Sequence, residues 1–245
     1  MKLLKKTEEK IVISEKIEDS LANAIRRFVH EIPILAVDEV EIFKNDSALY
    51  DETVAHRIGL IPLKMDKSLE ERDKCSCKGK GCNKCTVTLK LVVDKEGFIY
   101  SKELKGKTEP VYGNIPVVFL NKGQQIEIVA YARLGRGREH SKFVPGLIFY
   151  RNIPEIKRGK DEKVRGETYV AKGDNVERMF NNDLLGDNVE IRKKEGKETL
   201  KVHTSEDLII EIESFGQISA KEVFLNSIKE LRERLDQTIK DLKIA

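Results

Sequence analysis

Residues 21–43, LANAIRRFVHEIPILAVDEVEIF, and 51–63, DETVAHRIGLIPL, decide how this chain is read. In the first stretch Leu21, Ile25, Phe28 and Val29 recur at three- and four-residue steps, the period of a helix with one apolar face. Asp19 or Ser20 is placed to cap that helix, and Pro33 breaks it. Ile34 to Phe43 then reads as a strand. The second stretch reads as a short helix that holds His56 and Arg57 and is stopped by Gly59 and Pro62. Arg26 and Arg27 stand side by side in the middle of the first helix, a pair that no composition rule explains. The plain alternative for them is an exposed, solvated helix face.

Around these two stretches the chain is rich in strands. KIVISEKI (10–17) alternates, and TVTLKLVVD (86–94) does so most clearly, with Val87, Leu89, Leu91 and Val93 on one face and a turn at Glu96-Gly97. IPVVFL (115–120) and IEIVAYARL (126–134) are strands separated by the turn residues Asn121-Lys122-Gly123. GLIFYR (146–151) and LIIEIES (208–214) are two more. From about 152 to 198 the sequence turns polar and carries glycines at 159, 166, 173, 186 and 196. YVAKG and VERMF interrupt that polarity and point to a small folded or semi-ordered insert rather than a pure linker. The chain closes on a helix from about Ser219 to Lys243. Phe224, Ile228, Leu231, Leu235, Ile239 and Leu242 draw one apolar stripe along its roughly six turns. Such a stripe either packs on the chain's own sheet or receives a partner helix, and its length favours the partner.

Composition narrows the function classes. The 245 residues are 36% charged, with 45 Lys and Arg against 42 Asp and Glu, a net charge of +3. So even a balance argues against a dedicated nucleic-acid binder, which needs a clustered basic excess. No apolar run approaches the roughly 18–20 residues that span a bilayer, and MKLLKKTEEK turns charged too soon for a signal peptide. A cytoplasmic protein is expected. Abundant Lys and Glu without Trp fits a thermophile or simply a charged surface.

All four cysteines fall in Cys75-Ser-Cys77-Lys-Gly-Lys-Gly-Cys82-Asn-Lys-Cys85. In a reducing compartment that clustering favours a metal over disulfides. Zinc takes four thiolates tetrahedrally, and Gly79 and Gly81 allow the sharp turns that so short a loop needs. Four thiolates on one divalent ion leave excess negative charge, which Lys78, Lys80 and Lys84 are placed to offset while lowering the thiol pKa values. A saturated site of this kind is structural. An iron–sulfur cluster and a metal-free loop are the rivals. A redox pair is weaker, since only Cys82 and Cys85 have the C-x-x-C spacing.

ARLGRGREHSKFVPG (132–146) is the other unusual segment. Gly135 and Gly137 lack the lysine-hydroxyl pair of a phosphate loop. His140 and Ser141 are neighbours without an orienting acid or oxyanion hole, so a polar loop that meets a partner is the better reading. His30 sits at a helix end, where its positive charge is favourable, and His203 lies in or beside a strand. No acidic D-x-D cluster is present to hold catalytic magnesium.

Four motifs together resemble the alpha-like subunits of cellular RNA polymerases, most closely the archaeal D-type subunits. They are L-x-N-A-x-R-R (21–27), Ile32-Pro33, AHRIGLIPL (55–63) and G-x-E-H-S-K-F-x-P-G (137–146). The resemblance implies an α+β fold: an alpha-like dimerisation domain of sheet plus long helices, from 1–43 and 204–245. A mainly β second domain at 44–153, bearing the four-Cys loop, would interrupt it, with a small polar insert at 154–203. It implies a heterodimer with the smaller alpha-like subunit L, formed through Leu21, Ile25, Phe28, Phe224, Ile228, Leu231, Leu235, Ile239 and Leu242. That pair would be the platform on which the two largest subunits assemble for DNA-templated transcription, with small subunits N and P as further neighbours. Arg26, Arg27, His56, Arg57, Glu139, His140 and Lys142 are then the expected contacts with the large subunits, since arginine suits interfaces.

The same resemblance implies a chain without catalytic residues, in which nucleotidyl transfer belongs to the complex. Little or no direct DNA contact and no membrane contact are expected. The four-Cys loop looks like the zinc loop of the eukaryotic counterparts, with Cys75, Cys77, Cys82 and Cys85 as ligands to one zinc ion. The cysteines of a ferredoxin-like insert are missing from 154–203, so an iron–sulfur cluster is not expected there. The rival reading is a free-standing, metal-dependent nucleic-acid-binding module built on the Cys loop. Its basic stretch KGKGCNK (78–84) is short and has no interleaved aromatic residue.

Overall fold

The computed structural model describes residues 2–66, 68–157, 169–171 and 200–244. Most of the expected insert at 154–203, including VERMF, lies outside these residues. Among those described are three α-helices: α1 (Asp19–Phe28), α2 (Asp51–Gly59) and α3 (Ala220–Ile244). The strands are β1 (Lys2–Lys6), β2 (Lys10–Glu15), β3 (Ile34–Asn45), β4 (Thr86–Val93), β5 (Gly97–Tyr100), β6 (Lys105–Gly106), β7 (Pro116–Leu120), β8 (Ile126–Gly135), β9 (Gly146–Lys157), β10 (Tyr169–Ala171) and β11 (Leu200–Ser214). The fold is α+β with antiparallel sheets throughout the described residues.

Two cores organise the chain. In the first, β1 pairs β2, β2 pairs β11, and β11 pairs both β9 and β10. Ile13, Ile148, Leu208, Ile210 and Ile212 from this sheet pack against Ala22, Ile25 and Val29 at α1 and Ala220 and Val223 of α3. In the second, the order β3-β8-β4-β6 forms a sheet, with the two-stranded β5–β7 sheet and α2 over it. Val87, Leu89 and Leu91 of β4 point into this core as their alternation requires, beside Val54 and Ile58 of α2.

The strand β3 joins the two. Its opening run Ile34-Leu35-Ala36-Val37 is buried on both faces, because Ile34 packs in the first core while Leu35 and Val37 pack in the second. Alternation appears only beyond Val37, where one face meets water. Buried side chains thus pass from the first core to the second at about Ile34/Leu35 and back again between Leu134 and Val144. GLIFYR, assigned by sequence to the middle of the chain, forms the start of β9 and pairs with β11. That ladder continues through Lys157↔Lys201, so the two ends of the expected insert extend the first sheet.

Other local expectations change. Neither Asp19 nor Ser20 caps α1; Glu18 occupies that position and makes no side-chain cap bond. A 3-10 turn at Val29–Glu31, holding His30, links α1 to the Pro33 break. The turn at Asn121–Gly123, with Gly123 at φ +80°, does not fold its two strands together. Instead β7 pairs with β5, while β8 lies between β3 and β4. The edge strand β1 gave no alternation to read, because all its side chains are exposed. Its lysines discourage pairing with another edge.

Candidate metal centre and contact surfaces

The Cys loop hangs between a 3-10 turn at Arg72–Lys74 and the start of β4. Its ends are drawn together where the Glu70 N–H donates to the Lys84 carbonyl (2.9 Å). Lys78, Gly79 and Gly81 all have positive φ (54°, 82° and 85°), which reverses the chain twice within four residues. Cys75 and Cys85 are buried, Cys77 and Cys82 half-buried, and none forms a disulfide. Their four sulfurs lie within 4.8 Å of one another. Cys75–Cys82 and Cys77–Cys85 are separated by 3.6 Å and Cys82–Cys85 by 3.9 Å. Sulfurs on a tetrahedron at about 2.3 Å from a zinc ion stand about 3.8 Å apart, so the donor set fits such an ion. The Cys82 N–H donates to the Cys85 sulfur (3.3 Å), stabilising negative charge there.

The thiols are not equivalent. The Cys77 N–H draws the Cys75 pKa down, but desolvation and the three neighbouring thiols push it up to about 12. Burial opposes ionisation of Cys77, yet hydrogen bonds from Cys75, Cys85 and the Gly81 N–H hold it at about 6. Lys78, Lys80 and Lys84, expected to depress the thiols, are not among the groups that set either value. The thiols perturb one another more than the solvated ammonium groups do.

Behind the loop lies an ionic cluster that sequence reasoning missed. Arg136, just past the end of β8, donates to both carboxylate oxygens of Glu71 (3.1 and 3.1 Å), to Glu230 of α3 (2.8 Å) and to the Glu31 carbonyl. It thereby ties β8, the approach to the Cys loop, the end of α1 and the final helix. Arg133 bonds Asp38 (2.6 Å) and Glu139 (3.0 Å), and Lys142 also reaches Asp38 (3.1 Å). Burial would raise the Asp38 pKa, but Arg133 and Lys142 more than offset it and hold the carboxyl below its usual range. Glu71 is held low in the same way, by Lys74 and Arg136 against burial. The glycines of the segment have a packing role. A Cβ on Gly135 would stand 2.6 Å from the Phe143 ring, and one on Gly137 would stand 2.8 Å from Val144.

His56, His140 and Lys142 meet with Asp38 in one surface cleft of about 250 Å³. Arg57 faces another, where it donates to the Pro116 carbonyl (2.8 Å). Arg26 and Arg27 are exposed on α1, with Arg26 bonded to Asn23 (2.8 Å). Glu139 is engaged by Arg133, and His140 accepts the Lys142 N–H through Nδ1 (3.1 Å).

The apolar stripe of α3 splits. A reciprocal cap starts the helix: Ser219 receives the Glu222 N–H (3.3 Å) and Glu222 receives the Ser219 N–H (3.1 Å). Val223 is buried, while Phe224 and Leu231 are partly buried against the first core. Ile228, Leu235, Ile239 and Leu242 are exposed, the last three by 54%, 49% and 73%. At about 100° per residue Leu235 and Leu242 stand within about 40° of Phe224 and Leu231, so the split falls along the helix: every residue from Arg232 to Lys243 is exposed. Of the α1 residues expected beside them, Leu21 is exposed, Phe28 half-buried and Ile25 buried in the chain's own core.

The sequence that builds these two cores and the Cys loop is similar to those of known proteins. Residues 40–145 match the family model of the RNA polymerase Rpb3/RpoA insert domain. Relatives named DNA-directed RNA polymerase subunit Rpo3 extend the match to the rest of the chain. The one from Pyrococcus horikoshii is 34% identical over 99% of this chain and 97% of its own length. That of Archaeoglobus fulgidus is 32% identical over 89% and 88%, and that of Thermococcus kodakarensis 41% identical over 65% and 62%. The chain belongs to the family of archaeal DNA-directed RNA polymerase subunit Rpo3, the D-type subunits of that enzyme. Among the described residues no helix is long and apolar enough to cross a membrane.

Proposed function

We propose that this chain is a non-catalytic assembly subunit of DNA-directed RNA polymerase. In this reading it heterodimerises with the smaller alpha-like subunit L, and the pair scaffolds the two largest subunits. One observation carries it. The outer half of α3 stands clear of the chain's own core with Leu235, Ile239 and Leu242 exposed along one line. Side chains of that size, repeated over several turns, gain most of their burial free energy only against another helix, at about 25 cal/mol per Å². Leu21 and Ile228 extend the same interface, and Phe28, Phe224 and Leu231 form its inner margin. Arg26, Arg27, His56, Arg57 and the loop Glu139–Lys142 serve the large subunits, and nucleotidyl transfer and DNA contact belong to the other chains.

Zinc is the metal that the Cys loop would hold. Sulfur spacing, a closed donor set of Cys75, Cys77, Cys82 and Cys85, and the absence of cysteine elsewhere in the sequence support it. The ion supplies cross-linking rather than reactivity: it fixes a loop that buries little apolar surface of its own. Co-expression with subunit L followed by size-exclusion chromatography tests the assignment. A stable one-to-one complex that recruits the large subunits supports it, and two chains that elute apart at micromolar concentration refute it.

A further inference from the structure

The β5–β7 sheet carries an apolar surface that the dimerisation helix does not use. Phe98 and Phe119 face each other across the two strands. Their rings meet edge to face at 5.0 Å, and they remain 60% and 44% exposed. Beside them opens a cleft of about 250 Å³ walled by Leu49, Pro116, Val118 and both rings. Arg57 is the single charged residue of its lining. The guanidinium is held by the Pro116 carbonyl at 2.8 Å and has no carboxylate partner among the described residues.

We infer that this cleft is a docking site for an apolar segment of another polymerase subunit that carries a carboxylate, with Phe98 and Phe119 covered by its apolar side chains and Arg57 paired to its acid. The inference rests on the assembly function proposed above and places one of its contacts. Three features select this occupant. In a chain that is 36% charged, two outward aromatic rings packed edge to face are costly to leave wet, and rings fixed against each other lose little entropy on being covered. A lone cation in a lining whose one other polar side chain is Asn121 gives the site a sign: a cationic or purely apolar segment would leave the guanidinium desolvated without an anionic partner. The Pro116 carbonyl also pre-orients the fork, which leaves the other N–H groups of Arg57 for bidentate capture of a carboxylate.

The test uses the heterodimer and the reconstituted polymerase. A photo-crosslinking benzoylphenylalanine replaces Phe98, and adducts are mapped in the assembled complex. Phe98→Ser with Phe119→Ser, and separately Arg57→Glu, are measured for heterodimer formation, melting temperature and affinity for the large subunits. Heterodimerisation and melting should stay unchanged, because these side chains point outward, while affinity for the remaining subunits should fall more than tenfold. The crosslink should map to a segment bearing Asp or Glu, and changing that acid to Arg should rescue Arg57→Glu. Variants that assemble within twofold of the parent overturn the inference, as do an adduct to a second copy of this chain and an adduct to a segment without an acid. If the unmodified heterodimer recruits no large subunit, the assembly function itself fails, which is a separate result.

Discussion

At the scale of single residues, the decisive groups are four sulfurs and a few buried charges. The purified chain should contain one zinc ion and no iron when prepared without oxygen, as elemental analysis will measure. Cys82→Ser should cut metal retention sharply, because it removes one of four ligands. The second sheet should nevertheless survive, since Val87, Leu89 and Leu91 are anchored independently of the loop. Stoichiometric iron with acid-labile sulfide would disprove the zinc assignment. The carboxylates give a pH dependence. Asp38 and Glu71 have folded-state pKa values below their unfolded values. Their contribution is complete above the ordinary carboxylate range, begins to fall within it and is gone only once pH has passed below the depressed folded values. Melting temperature should therefore drop from about pH 5 downward. Asp38→Asn should cost about 2 kcal/mol at neutral pH, because Arg133 and Lys142 lose a charged acceptor, and should flatten part of the acid slope. A variant as stable as the parent at pH 7 would show the cluster to be energetically idle.

At the scale of elements, α3 packs on the first core through its inner turns and leaves its outer turns exposed. Leu235→Asp with Ile239→Asp should abolish heterodimerisation, because each would bury an unpaired carboxylate at the interface. The same pair should leave the isolated chain's melting temperature nearly unchanged, since both side chains are about half exposed there. Val223→Asp should instead unfold the first core, where Val223 is fully buried. Loss of cooperative melting in the double variant would place the outer stripe inside the chain's own structure. On the proposed function, variants in α2 and at the end of α1 should separate assembly from dimerisation. Arg27→Ala and His56→Ala should preserve the heterodimer and weaken large-subunit recruitment, because both side chains are exposed and neither belongs to the exposed stripe of α3. A pull-down that finds the heterodimer lost in either variant would move these residues into the dimer interface.

At the scale of the whole molecule, β3 and Arg136 hold the two cores together. The first does so by burying both faces of Ile34–Val37, and the second by pairing with Glu71 and Glu230, which approach it from different elements. Arg136→Ala would leave Glu230 without its cation and Glu71 with only the solvent-exposed Lys74. It should cost about 3–5 kcal/mol and loosen α3 against the Cys-loop side. Hydrogen exchange should accelerate in the first turns of α3 and around residues 70–75. Unchanged exchange in both regions would show that the cores are coupled by β3 alone.

Much of this architecture is legible in the order of residues alone. Period and alternation place the three helices and most strands of the described residues, because a helix or strand with one wet face must repeat its apolar residues at 3.6 or 2. Four cysteines in one loop announce their own convergence, since a set so close in sequence needs only local turns to bring its sulfurs together. The motifs at 21–27, 55–63 and 137–146 mark the family. Which strand lies beside which is not legible: β9 looks the same whether it pairs with β8 or with β11, because a strand's pattern records that a face is buried and not against what. The run at Ile34–Val37 gives no sign that two cores share it. Asp38, Glu71, Arg133, Arg136 and Glu230 look like ordinary surface charge, since their partners stand far off in sequence. The splitting of the α3 stripe is equally hidden. A helix advertises its apolar residues all along its length, and only the place where the sheet beneath it ends decides which of them are left for a partner.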